Sequence, residues 1–154
     1  MKVGKHKDND KSKNVAKKKN FGILKKETQK KNMKHNLQNE WFYMSPIEVS
    51  ASMIAEVAKE VNYGDIELWE ELNILEITLG DGKSIDFEPQ RVEFKDKEDQ
   101  AFVNEREIKS IFAVTFSHCT IDEFRPFVKY LLDKWNGVFC ADTFDFNPRI
   151  ENSN

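Results

Sequence analysis

One histidine, two thiols and a carboxylate form the chain's densest set of reactive side chains: His118 and Cys119 precede a helix start, and Cys140 and Asp142 follow in the next apolar segment. Such residues can ligate a metal or form a Cys–His pair. A closed zinc site needs four good ligands, usually at closer spacing than this. Two small apolar thiols in a core and a histidine at a helix entrance fit the same residues. His6 and His35 lie far upstream. No Walker glycine loop, Gly-x-Ser-x-Gly elbow, Cys-x-x-Cys pair or His-Glu-x-x-His helix occurs. The chain therefore reads as a non-enzyme that needs no metal or cofactor. An unrecognised enzyme using His118, Cys119 or Cys140 is the remaining catalytic alternative.

Carboxylates are the other candidates. Glu70/Glu71, Asp86/Glu88 and Asp142/Asp145 could serve as acid–base pairs, but residues 41–154 hold 23 acids, and pairs of this kind arise from abundance on a solvated face. Trp69 differs. It lies in Glu67-Leu68-Trp69-Glu70-Glu71, and if Ile66 and Leu68 face a core, alternation turns Trp69 outward among carboxylates. An aromatic inside an acidic rim suits a contact with a basic protein, and a core tryptophan at a helix or bulge is the alternative. Glu67, Trp69, Glu70, Glu71, Asp86 and Glu88 are the candidate partner-binding residues.

The net charge of −3 conceals a segregation. Residues 1–40 carry 13 lysines against four acids, a balance of +9, and the remainder carries 11 basic residues against 23 acids, a balance of −12. The leader has almost no large apolar residues beyond Phe21, Ile23 and Leu24. It cannot bury enough surface to offset its chain entropy, so disorder is expected over residues 1–40. Lys11, Lys13, Lys17, Lys18, Lys19, Lys25, Lys26, Lys30, Lys31 and Lys34 are its candidate polyanion contacts, since each lysine–phosphate contact releases counterions. A solvated tail, or a tail folded back on the acidic part, are the other readings. No apolar run reaches the roughly 18 residues of a membrane span, and no apolar segment follows the basic start as in a secretory signal. A cytoplasmic protein with free thiols is expected.

The elements that must position these groups read best from Lys109 to Asp142. Phe112, Val114 and Phe116 alternate with Ile111, Ala113 and Thr115, the pattern of a central strand over residues 110–117. Thr120 and Glu123 have capping-box spacing, and Phe124, Phe127, Val128, Leu131 and Trp135 form one apolar stripe, predicting a helix that Asn136-Gly137 stops. Val138–Ala141 is then a buried strand. Upstream, Trp41–Met44 suggests a short strand. Ser45-Pro46-Ile47-Glu48 combines a cap, a proline and an acid, predicting a helix from there to Val61 with Ile47 on its buried stripe. Ile66/Leu68, then Leu75/Ile77/Leu79 and Ile85/Phe87 around Gly80-Asp81-Gly82, predict antiparallel strands. Val92/Phe94 suggests an edge strand, residues 96–107 a loop with a short helical piece at 100–104, and Phe144/Phe146 either a strand continuation or a plug for the core.

This order predicts an α+β protein: a two-layer sandwich of a mostly antiparallel sheet with two helices on one face, the closest simple topology being a ferredoxin-like βαββαβ unit elaborated over residues 65–95. Residues 41–148 form one domain, with 149–154 as a frayed end. The expected function is a non-enzymatic binding or inhibitor protein of the immunity-protein or nucleic-acid-mimic type, whose acidic domain docks a basic protein. Nucleic-acid binding through the lysine-rich leader is the alternative.

Overall fold

Seven strands and three helices account for most of residues 39–152, the part of the chain that the computed structural model describes. The expectations placed on residues 1–38, including the lysine set, lie outside the described residues. The strands are β1 (Glu40–Ser45), β2 (Asp65–Trp69), β3 (Ile74–Gly80), β4 (Lys83–Gln90), β5 (Ser110–Ser117), β6 (Val138–Ala141) and β7 (Arg149–Glu151). The helices are α1 (Ala51–Glu60), α2 (Lys97–Glu105) and α3 (Ile121–Trp135), and a single 3-10 turn, Glu70–Leu72, follows β2. One antiparallel sheet runs β2-β3-β4-β5-β1-β6-β7. Within it, β6-β1-β5-β4 with α1 and α3 as crossovers is the ferredoxin-like βαββαβ order. The β2–β3 hairpin is inserted after α1 and widens the sheet on one side, and β7 adds a strand on the other.

The main core lies between the sheet and α1 and α3. Tyr43, Leu75, Ile77, Ile85, Phe87, Phe112, Val114, Phe116 and Phe139 meet Ile54, Ala58, Phe124, Phe127, Val128 and Leu131 there. α3 starts where the capping spacing requires, with the Glu123 carboxylate accepting from the Thr120 N–H at 3.4 Å. Gly137 takes φ +96, and a Cβ there would strike the Met44 carbonyl oxygen, so the turn from α3 into β6 demands glycine.

The expected helix start at Ser45 is corrected. Ser45 belongs to β1, paired with Ser110, and the Ser110 hydroxyl donates to the Ile47 carbonyl and accepts from the Val49 N–H, tying this bend to β5. α1 begins one turn later, capped by Ser50, whose hydroxyl accepts from Met53 N at 3.1 Å; Ile47 is 41% exposed rather than part of the buried stripe.

A second correction concerns the other face. The α+β class with an antiparallel sheet stands, and a third helix joins the two expected ones. α2 is a full helix capped by Asp96, not a loop with a fragment. Gln100 accepts from Phe94 N at 2.6 Å and donates to the Val92 carbonyl at 3.3 Å, so residues 91–96 are a pinned loop and not the expected edge strand. Val92, Phe94, Phe102, Val103 and Phe146 pack with Phe42, Met44, Ile111, Val138 and Cys140 in a small second core. Phe146 is the plug, meeting Phe42, Phe94 and Phe102, whereas Phe144 is exposed. Arg149–Glu151, expected to fray, instead pairs with β6. Pro89 lies inside β4 but beyond the point where β3 stops pairing, at Leu75–Phe87, so no ladder bond on that side needs its missing N–H. Among the described residues, no helix is long and apolar enough to cross a membrane.

Candidate functional site

Among the described residues, α2 and Phe146 cover the β5-β1-β6 half of the sheet's second face, and no helix lies on the far face of β2, β3 and β4. Alternation decides what it displays. Ile66, Leu68, Leu75, Ile77, Ile85 and Phe87 turn toward the main core, so Asp65, Glu67, Trp69, Ile74, Glu76, Thr78, Ser84, Asp86 and Glu88 share the opposite face. None of these is basic. The structure thus brings four of the sequence-derived candidates, Glu67, Trp69, Asp86 and Glu88, onto one surface. Glu70 and Glu71 are exposed on the 3-10 turn that continues from β2.

Register adds what alternation alone does not give. Glu67 is directly opposite Glu76, Glu76 opposite Asp86, Asp86 opposite Thr115, and Thr115 opposite Glu40. A row of carboxylates therefore runs straight across the strands. With about 4.8 Å between neighbouring strands, Glu67, Glu76 and Asp86 span about 10 Å. Directly opposed like charges destabilise a sheet. Glu76 and Glu40 were not among the sequence-derived candidates; their alternation was visible, but their alignment depends on pairing between distant segments. Leu72, 57% exposed beside Glu70 and Glu71, is a further apolar element of this rim that sequence reasoning passed over.

Lys83 begins β4 but serves the helical side: its Nζ meets Glu123 Oε1 at 2.7 Å, and this bond holds the Glu123 carboxyl below the usual range. Tyr63 donates to the Glu123 carbonyl at 2.7 Å, tying the loop after α1 to the same helix start. Arg106 and Arg149 lie on the covered half, both over the Phe102 ring, and Arg106 reaches Glu151 at 3.8 Å.

The histidine–thiol set is not assembled. Cys119 packs against the main core and its thiol donates to the Ser84 carbonyl at 3.4 Å, whereas Cys140 is buried in the second core, so the sheet separates them. Burial pushes both thiols up. His118 is exposed at φ +58 after β5. Among the described residues, no three His, Cys, Asp or Glu side chains gather around a possible metal position. Asp145 is a turn residue, accepting from Thr143 Oγ1 at 3.1 Å and Asn147 N at 3.2 Å. Desolvation acts to raise its carboxyl, but hydrogen bonds from Asn147 and Thr143 outweigh this and leave it lowered.

Set beside protein-family models, curated proteins and solved structures, the chain matches none.

Proposed function

We propose that the protein is a non-enzymatic binding protein, of the immunity-protein or nucleic-acid-mimic type, that docks a basic protein on the carboxylate face of β2–β4. The aligned row Glu67–Glu76–Asp86 carries this reading. A cationic partner meets several carboxylates within about 10 Å and is steered toward the face before contact. Glu88 and the rim of Glu70 and Glu71 extend the field, and Trp69 and Leu72 supply apolar area beside it.

The test is capture from a host lysate at low salt, comparing the full chain with E67K/D86K/E88K. The wild type retains a basic protein, released by salt; the triple variant loses it. Equal capture by the triple variant overturns the reading. A chain lacking residues 1–40 separates the lysine-leader alternative: if only nucleic acid is retained, and only when the leader is present, the leader and not the carboxylate face is the binding element.

A further inference from the structure

β2 ends the sheet on one side, and among the described residues β3 is its sole strand neighbour. An outermost strand points every second N–H and C=O outward, which is a template for another extended chain. The core-facing side of β2 is also incomplete. Leu75, Ile77, Ile85 and Phe87 are fully buried, while Ile66 and Leu68, on the same face one strand further out, are only half-buried. On the opposite face Asp65 and Glu67 are exposed, and Glu70 and Glu71 prolong the charge past the strand. A chain added here thus meets two demands at once: apolar side chains on one face to cover Ile66 and Leu68, and cationic side chains on the other.

Pairing of β2 with β2 of a second copy fails the second demand. An antiparallel pair centred on Glu67 would set Glu67 against its own counterpart, and like charges so placed repel. In that register like charge opposes self-association, whereas a strand of opposite charge meets no such repulsion.

We infer that β2 is a strand-addition site for an extended segment of the basic protein, in which Lys or Arg alternates with β-branched apolar residues. This rests on the acidic docking reading above and specifies how the partner is held: main-chain hydrogen bonds give affinity, and alternate side chains give selection.

The probe is a synthetic peptide alternating lysine and valine, titrated calorimetrically into the full chain at low salt, with amide exchange followed at residues 65–69. Two companion peptides carry backbone N-methyl groups on the lysines or on the valines, which leaves charge and side chains intact. The parent peptide is expected to bind and to slow exchange in β2. One N-methylated peptide should bind about tenfold or more weakly, because its methyl groups replace the donors facing β2, while the other stays close to the parent. If both N-methylated peptides bind within about twofold of the parent while E67K/E70K/E71K abolishes binding, strand addition is wrong and acidic docking stands. If that triple variant binds the parent peptide unchanged, the acidic docking reading fails and takes this one with it. No binding by any of the three peptides also overturns both.

Discussion

Replacing Glu76 by glutamine removes the middle charge of the aligned row while keeping the side chain's shape. Glu76 faces Glu67 on one side and Asp86 on the other, so two like-charge pairs vanish together. Directly opposed Cβ atoms are about 5 Å apart, which puts the carboxylates about 6 Å apart after modest splaying. In bulk-water dielectric each pair then repels by about 0.7 kcal/mol before screening. With a Debye length of about 30 Å in 10 mM salt, about 0.5 kcal/mol per pair survives; at 1 M, where the length is about 3 Å, about 0.1 kcal/mol is left. Through these two pairs E76Q should differ from the wild type by a salt-dependent contribution of about 1 kcal/mol in dilute salt, about 4 °C in Tm for a domain of this size. In 1 M salt the difference should shrink to about 1 °C or less. Thermal unfolding followed by circular dichroism at the two salt levels reads this directly. E88Q is the control: Glu88 is opposite Ala113, not a carboxylate, so the like-charge contribution to its change should be less than half as large. A Tm difference between E76Q and the wild type that ignores salt would refute the electrostatic account of the row. The same variant should weaken capture of a basic partner.

Other consequences are structural. Gly137→Ala forces a Cβ onto the Met44 carbonyl at positive φ and should cost about 2–4 kcal/mol in chemical denaturation. Phe146→Ala empties the second core where Phe42, Phe94 and Phe102 converge and should cost about 3–5 kcal/mol, read by the same method. Because Lys83 holds the Glu123 carboxyl low, its stabilisation is present above the ordinary glutamate range and is lost as pH falls through the lowered value. Glu123→Gln should therefore reduce Tm at neutral pH and flatten the acid limb of the Tm–pH curve; an unchanged limb contradicts the pairing. With both thiols pushed up by burial, a disulfide-exchange reagent at neutral pH should label Cys119 slowly and Cys140 only when the protein unfolds.

The parts of the fold that were readable in advance are those where one local signal suffices. Thr120/Glu123 capping, the α3 stripe and Gly137 place β5, α3 and β6 within a residue of their observed bounds. Ser45-Pro46 misled because a strong local cap signal lost to tertiary pairing: Ser45 is needed opposite Ser110, and Ser50 caps equally well one turn later. Residues 91–96 alternate like a strand, yet Gln100 satisfies their backbone from α2, a contact with no sequence signature. β7 was missed because its polar residues pair through their backbone. For the site, alternation placed Glu67, Trp69, Asp86 and Glu88 on one face. The row through Glu76 and Glu40 needed strand order and register, which depend on segments far apart in the chain.

Strand β1 lies between β5 and β6, and among the described residues no strand nearer to it in sequence touches it. During synthesis it leaves the ribosome long before either neighbour, and its apolar run Trp41–Met44 joins the sheet only after residues 110–117 and 138–141 emerge. Closure of the central sheet is thus a late, long-range event, which slows folding relative to a domain built from adjacent hairpins. It also makes the nascent chain dependent on whatever shields that run in the meantime.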